Sequence, residues 1–274
     1  MNAIGNASPS PSARFGEAYA RLRALEGRGG GGEAELAALP YLAEGPLARQ
    51  WGVRARTFDA FVARVVVPLE RSLGRPLRVL DLGAGNGWLS ARMTRRGHAA
   101  VALDLRTDSV DGLGAARPFA RSLPRMFPRV AASFEAIPLG RRLFDVALFD
   151  ASLHYARDLA ATLAEAAAVV APGGRLAILD SPFYRRPESG EAMVAEKRRT
   201  TRERYRDLAD ALLSVPAVEF LTADLLAAAA GPLGLAFRRH RVAYPLWYEA
   251  RPLVALLKRG RAPSRFDLWE AVVP

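Results

Sequence analysis

Val79-Leu80-Asp81-Leu82-Gly83-Ala84-Gly85-Asn86-Gly87-Trp88-Leu89-Ser90 reads as the end of a buried strand, a glycine turn and the first turn of a helix. Gly83, Gly85 and Gly87 alternate, and without a Cβ the main chain there takes unusual dihedrals and comes close to a small molecule. The helix that follows opens with unpaired N–H groups. The dinucleotide fingerprint requires a third glycine three residues after the second, where this chain has Trp88. No Gly-Lys-Ser or Gly-Lys-Thr follows, so the turn is not a triphosphate loop.

Working outward, apolar runs at 77–82, 99–105, 129–133, 143–149 and 175–180 alternate with helical patterns, notably 87–96 and the alanine-rich stretch 157–171 that Pro172-Gly173-Gly174 is expected to stop. Strands at 235–242 and 266–273, separated by a helical insertion at 245–258, raise the number to seven. Nearly all-apolar strands alternating with helices imply an α/β fold: a doubly wound, mostly parallel seven-stranded Rossmann-like sheet covered on both faces.

Upstream, residues 1–12 are expected to be a disordered tail and 13–70 an N-terminal helical cap, or lid. The cap contains a helix at 13–26, a glycine linker at 27–32, a helical turn at 33–39 and a longer helix at 47–69. In that last helix Phe58, Phe61, Val62, Val65, Val66 and Leu69 form one apolar stripe. Residues 71–274 form the main domain with C-terminal helical insertions. The stretch 188–214 reads as one long, charged, solvated helix.

Composition narrows the function classes. The formal charge of +11 permits an anionic partner, yet only Lys197 and Lys258 are lysines and the arginines are spread along the chain. That distribution favours an arginine-rich surface over a dedicated nucleic-acid site. With no cysteine there is neither a disulfide nor a thiolate metal site, and His98 and His240 have no carboxylates at ligand spacing, so no metal is expected. The apolar segments are interrupted by Glu165, Asp224, Gly231 and Pro232, so no membrane span is expected. Residues 1–14 have no apolar core of a secretory signal, and a cytoplasmic location is expected. There is no G-x-S-x-G elbow to make His154 part of a hydrolase.

The run Val79 to Gly87 resembles the first motif of class I S-adenosylmethionine-dependent methyltransferases, of the methyltransferase domain family 11-like kind, and the likeness extends over about residues 75–182. Asp104 closes the second strand where that family has an acidic residue. Ser133-Phe134-Glu135-Ala136-Ile137-Pro138 stands where the family often has Asp-Ala-Glu-x-Leu-Pro, with Ser133 in place of the usual Asp. Phe144 to Asp150 and Ala171-Pro172-Gly173-Gly174 complete the order. The resemblance implies that Asp81, Gly83, Ala84, Gly85, Asn86 and Gly87 hold S-adenosylmethionine. It further implies that Asp104 binds the ribose hydroxyls with Leu105 beside it, that Ser133, Phe134 and Glu135 hold the adenine, and that Asp150, Ala151 and Ser152 line the cofactor.

The implied reaction is in-line attack of a nucleophile on the sulfonium methyl, leaving S-adenosylhomocysteine, with proximity supplying much of the rate. His154 is the candidate general base, because an imidazole titrates near neutral pH. Tyr155, Tyr184 and Arg185 are candidates for the acceptor side. Asp180-Ser181-Pro182-Phe183-Tyr184 differs from the Asp-Pro-Pro-Tyr loop of amino-methylating enzymes in sequence and in position. The expected partner is a small-molecule acceptor. The alternatives are an RNA methyltransferase, suggested by the arginine excess, and a non-catalytic cofactor-binding regulator.

Overall fold

The computed structural model of the chain describes residues 11–28 and 32–274. The expected tail therefore lies, over residues 1–10, outside the described residues, as does the part of the glycine linker at 29–31. Pro11 and Ser12 belong to the first helix.

Seven strands form one sheet in the order β3-β2-β1-β4-β5-β7-β6. They are β1 (Arg78–Leu82), β2 (Ala99–Asp104), β3 (Arg129–Ala131), β4 (Phe144–Asp150), β5 (Val170–Leu179), β6 (Arg238–His240) and β7 (Leu268–Val272). The first five pair in parallel, whereas β7 is antiparallel to both β5 and β6. Every residue of β4 is buried, as a central parallel strand covered on both faces requires.

Successive side chains of a strand point to opposite faces, and each face has its own core. Val79, Val146, Leu148, Ala177 and Leu179 pack with α3 (Ala48–Phe61) and α5 (Trp88–Arg95). Leu80, Leu82, Ala147, Phe149, Leu176 and Ile178 pack with α6 (Leu159–Val169) and α9 (Ala223–Ala230). Asp158 caps α6 by accepting from Ala161 N, and Thr222 caps α9 by accepting from Leu225 N.

The stripe expected at 47–69 runs through α3, a π-helical turn at Val62–Val66 and α4 (Val67–Leu73), which ends on Gly74 at φ 64°. Phe58, Phe61, Val65, Val66 and Leu69 are buried; Val62 is half-buried. Two further helices complete the N-terminal part, α1 (Pro11–Leu25) and α2 (Gly32–Ala38).

Three expectations are corrected. Pro172-Gly173-Gly174 does not stop a helix at 171 but forms an irregularity inside β5: Phe144 pairs with Val170 and Val146 with Arg175. A Cβ on Gly174 would lie 2.5 Å from Val170 Cγ1 and 2.7 Å from Asp145 O, so the fold-back admits only glycine there. The charged helix divides at Tyr205 (φ −124°, ψ 49°) into α7 (Pro187–Arg204) and α8 (Arg206–Leu212), and Leu208 and Leu212 of α8 pack on Ala18 of α1. The late strand at 235–242 contracts to β6. Its connection to β7 carries α10 (Leu246–Glu249) and α11 (Arg251–Leu257). Among the described residues no helix is long and apolar enough to cross a membrane.

Candidate active site

The turn after β1 adopts the conformation its glycines permit, with φ 75° at Gly83, 53° at Gly85 and 74° at Gly87. A Cβ on Gly83 would stand 2.4 Å from Ser152 Cβ, and one on Gly87 would stand 2.8 Å from Phe127 Cζ. Gly83 N and Ala84 N donate to Leu103 O at 2.8 and 3.0 Å, hanging the turn on the end of β2. Asn86 Oδ1 accepts from Trp88 N at 3.2 Å, pairing the first N–H of α5, whose N-cap is Gly87. The Trp88 ring that breaks the dinucleotide pattern packs edge-on against Trp51 and Phe58 of α3, joining the glycine turn to the N-terminal helices.

Asp104 ends β2 with both carboxylate oxygens engaged: Oδ2 accepts from Gly85 N and Oδ1 from Arg106 N, each at 2.7 Å. Burial raises its pKa, and these N–H donors oppose the rise. Each oxygen keeps a further lone-pair direction, which a pair of hydroxyls can use.

Three more acidic residues arrive from neighbouring strands. Asp81 of β1 is buried; Oδ2 accepts from Ser90 Oγ at 2.9 Å, while Oδ1 has no partner among the described residues. Burial, with the nearby Asp150 carboxylate adding to it, pushes Asp81 up to about 7. Asp150 closes β4, and its Oδ1 is likewise buried without a well-aligned partner. Burial raises Asp150, and the Arg54 guanidinium opposes this. Asp180 follows β5 and accepts from Thr57 Oγ1 at 2.7 Å; burial, then Asp150, push it up to about 8. Ala151 (φ 52°) and Asp180 (φ 49°) both sit in the left-handed region without being glycine, a strain that packed surroundings must hold. Buried acceptors without donors suit a ligand that brings positive charge.

The remaining residues singled out in the sequence are placed as follows. Ser152 Oγ donates to Leu82 O at 2.5 Å, tying the loop after β4 to β1. Phe134 is half-buried beside Gly83 and meets Phe149 edge-on at 5.7 Å. Ser133 Oγ accepts from Glu135 N at 3.1 Å. The Glu135 carboxylate is turned to Arg157, accepting its N at 2.6 Å and its Nε at 2.7 Å; although desolvation opposes it, this pairing holds Glu135 below the usual range. Leu105, 62% exposed at the end of β2, is an apolar surface open to a base.

His154 lies in a short 3-10 turn (Leu153–Tyr155), its Nδ1 buried without a partner. Burial, followed by the charges of Lys197, Arg54 and Arg23, lowers it to about 3, so the imidazole is neutral near pH 7. Tyr155 OH meets Tyr19 OH of α1 at 2.9 Å, and Arg23 Nε, also on α1, donates to Asp111 at 3.0 Å.

Tyr184 and Arg185 are not joined to this group. The Tyr184 ring packs on Phe220, its hydroxyl accepts from Arg261 at 3.2 Å, and Arg185 is exposed. His98 Nδ1 accepts from Leu77 N, and His240 Nε2 stands 2.8 Å from Glu270. Among the described residues no group of three or more His, Cys, Asp or Glu is arranged to hold a metal ion.

Sequence reasoning passed over Asp180, Thr57, Arg54 and Tyr19. For Asp180 the signal was present: it directly follows an apolar strand, as Asp104 and Asp150 close theirs. Tyr19 is 136 residues from Tyr155, and no local pattern joins them.

The strand order with its antiparallel β7, together with a glycine turn hung on an acidic β2 end, defines a Rossmann-like methyltransferase fold. Residues 80–178 match the family model described as a methyltransferase domain. An uncharacterized methyltransferase of Mycobacterium tuberculosis (strain ATCC 25618 / H37Rv) is 38% identical over 102 residues, 37% of this chain and 39% of the relative. A malonyl-[acyl-carrier protein] O-methyltransferase of Pseudescherichia vulneris is 33% identical over 131 residues, 48% of this chain and 49% of the relative. The match thus spans about two fifths to half of these relatives.

Among solved structures, the magnesium protoporphyrin IX methyltransferase of Synechocystis PCC 6803 with bound S-adenosylhomocysteine superposes with a TM-score of 0.57 at 14% identity, covering 94% of this chain and 100% of that one. The 1,6-didemethyltoxoflavin-N1-methyltransferase of Burkholderia thailandensis gives 0.54 at 18% identity, covering 98% and 93%. These likenesses establish the fold. Residues 80–178 thus resemble a methyltransferase domain, and the solved neighbours of the same fold hold S-adenosylhomocysteine. The residues present fit it: a glycine turn held on the end of β2, lone pairs on Asp104 for hydroxyls, and buried acceptors on Asp81 and Asp150 for a cationic group.

Proposed function

We propose that this chain transfers the methyl group of S-adenosylmethionine to a small-molecule acceptor by direct in-line displacement. The observation that carries the reading is the convergence of the glycine turn, Asp104, Asp81 and Asp150 at the carboxyl ends of β1, β2 and β4, the edge where ligands bind in open α/β sheets. Asp104, with the turn it tethers, holds the ribose side. Phe134 and the exposed Leu105 sandwich the adenine. Asp81 and Asp150 face the cationic end of the molecule.

When bound, the sulfonium supplies an already activated methyl carbon. An acceptor lone pair forms the new bond to that carbon as the carbon–sulfur bond breaks, and its electron pair leaves with sulfur. The protein's part is then to orient and desolvate. The neutral His154 imidazole borders the loop after β4; held at about 3 it is too weak a base to carry the acceptor's proton, and its part is to orient the acceptor through the unpartnered Nδ1. Tyr155 faces the acceptor, and α1 closes over the site through Tyr19 and Arg23.

The test is a labelled-methyl transfer screen over small metabolites, with RNA as a separate arm. Transfer to a small molecule, lost in Asp104→Ala, supports the reading. Transfer to RNA alone, or firm cofactor binding with no transfer to any acceptor, opposes it.

A further inference from the structure

The connection between β6 and β7 exposes apolar side chains. On α11, Leu253, Leu256 and Leu257 stand at i, i+3 and i+4, hence on one helical face, and they are 60%, 73% and 76% exposed. Leu246, at 88%, and Trp247 add to this surface from the preceding turn. Tyr248, in contrast, is buried and packs on Tyr244 and Phe266. The hairpin is therefore anchored by its polar-tipped aromatics and turns its leucines outward, the reverse of a surface helix that merely covers a core.

Charge along this segment is predominantly positive, although Arg239, Arg241 and Arg261 are paired with Asp267, Glu249 and Glu196. Between Arg238 and Arg261 the sequence holds seven cationic residues, Arg238, Arg239, Arg241, Arg251, Lys258, Arg259 and Arg261, against the single carboxylate of Glu249. Glu249 is itself bound to Arg265 at 2.7 Å. Lys258 and Arg259 are exposed immediately after the last leucine, and Arg49 of α3 lies over the Trp247 ring at 4.9 Å.

The patch also has a definite place. Because β7 is antiparallel to both neighbours, β6 runs parallel to β5, and its end opens onto the edge where Asp150 and Asp180 lie. Tyr244, which precedes the hairpin, meets Thr57 Oγ1 at 2.7 Å, and Thr57 in turn contacts Asp180.

We infer that the α10–α11 hairpin docks on an anionic lipid bilayer surface, its leucines entering the headgroup boundary and the flanking Arg and Lys side chains meeting the lipid phosphates. An amphipathic segment with bulky apolar residues on one side and cations at its margins binds such a surface through apolar burial and electrostatic attraction together. Docking brings the carboxyl edge of the sheet to the lipid. The inference stands on the hairpin alone and does not depend on methyl transfer.

The experiment is sedimentation of the full chain with vesicles of phosphatidylglycerol and phosphatidylcholine, and with phosphatidylcholine vesicles alone, at low and high salt. The chain is expected to sediment with the anionic vesicles, less at high salt, and about tenfold more weakly with phosphatidylcholine alone. Leu256→Glu with Leu257→Glu is expected to lower anionic binding about tenfold or more. A second variant, Lys258→Gln with Arg259→Gln, leaves the leucines in place and is expected to reduce the salt-sensitive part. Circular dichroism and S-adenosylhomocysteine binding confirm that both variants fold.

A wild-type chain that stays in the supernatant with anionic vesicles overturns the inference, as does a leucine variant that is folded and still sediments fully. Self-association that the leucine variant abolishes, without vesicle binding by the wild type, also overturns it, because a second copy then covers the face.

Discussion

Asp104 Oδ2, at the end of β2, accepts the backbone N–H of Gly85 at 2.7 Å, nineteen residues away in sequence. One carboxylate thereby shapes the turn after β1 and presents lone pairs beside it. The same edge collects Asp81 and Asp150, each with a buried oxygen lacking a donor. The turn is held before any ligand arrives, and the unsatisfied acceptors supply the drive to bind a cation.

Gly83→Ala is expected to damage both stability and binding. The new Cβ would meet Ser152 Cβ at 2.4 Å, at a backbone φ of 75° that alanine adopts only under strain. A loss of roughly 2 kcal/mol or more follows from clash and strain together. Thermal melting reads the first effect and S-adenosylhomocysteine titration the second; a variant with wild-type melting contradicts the packing described for the turn.

Asp81, held at about 7 by burial and the neighbouring Asp150, gives binding a pH dependence. S-adenosylhomocysteine carries an ammonium at its amino acid end, which interacts more strongly with the ionised carboxylate. Affinity is expected to rise from pH 6 to pH 8, with proton release on binding below pH 7. Asp81→Asn is expected to flatten that rise. Calorimetry in buffers of different ionisation enthalpy measures the protons directly, and a rise that persists in Asp81→Asn assigns it to another group.

His154 is shifted in the opposite direction. Its folded-state pKa of about 3 lies below the value near 6.5 of an unfolded histidine, so between these limits the unfolded chain binds the extra proton. The stability contributed by the neutral ring is full above about pH 6.5 and is lost as pH falls toward 3. His154→Ala is expected to make the acid-side decline shallower by up to one proton. Denaturant melts from pH 7 to pH 4 check this; an unchanged slope contradicts the burial of the ring.

Much of this architecture was legible because the parallel strands are apolar on both faces and end in acidic residues or glycine. The glycine turn and Asp104 were legible for the same reason. The start of β5 was not, because Pro172-Gly173-Gly174 has the composition of a helix stop and acts instead as a fold-back between paired residues. Nor was the break at Tyr205, which has no proline or glycine to mark it. Tyr184 looked open to ligand from its loop position, but Phe220 and Arg261 arrive from later segments and bury it. The Thr57–Asp180 and Tyr19–Tyr155 contacts cross more than 120 residues, a distance over which periodicity carries no information.

The N-terminal closure is testable on its own. Tyr19→Phe with Arg23→Ala removes the hydroxyl contact to Tyr155 and the ion pair to Asp111 while leaving Ala18 packed on α8. Amide exchange in α1 is expected to accelerate, and cofactor dissociation to quicken by about tenfold. Unchanged exchange and dissociation would mean that α1 is held by its contact with α8 alone.

The most direct measurement of the central claim is calorimetric titration of S-adenosylhomocysteine into the wild-type chain and into Asp104→Ala. Asp104 tethers Gly85 and, in the proposed site, offers the ribose acceptors; loss of such charged hydrogen bonds costs about 1.5–3 kcal/mol each. Binding by the wild type at one site, weakened at least about tenfold in Asp104→Ala, is the result expected. No binding by the folded wild type, or equal affinity in the two proteins, would contradict the cofactor site at the ends of β1 and β2.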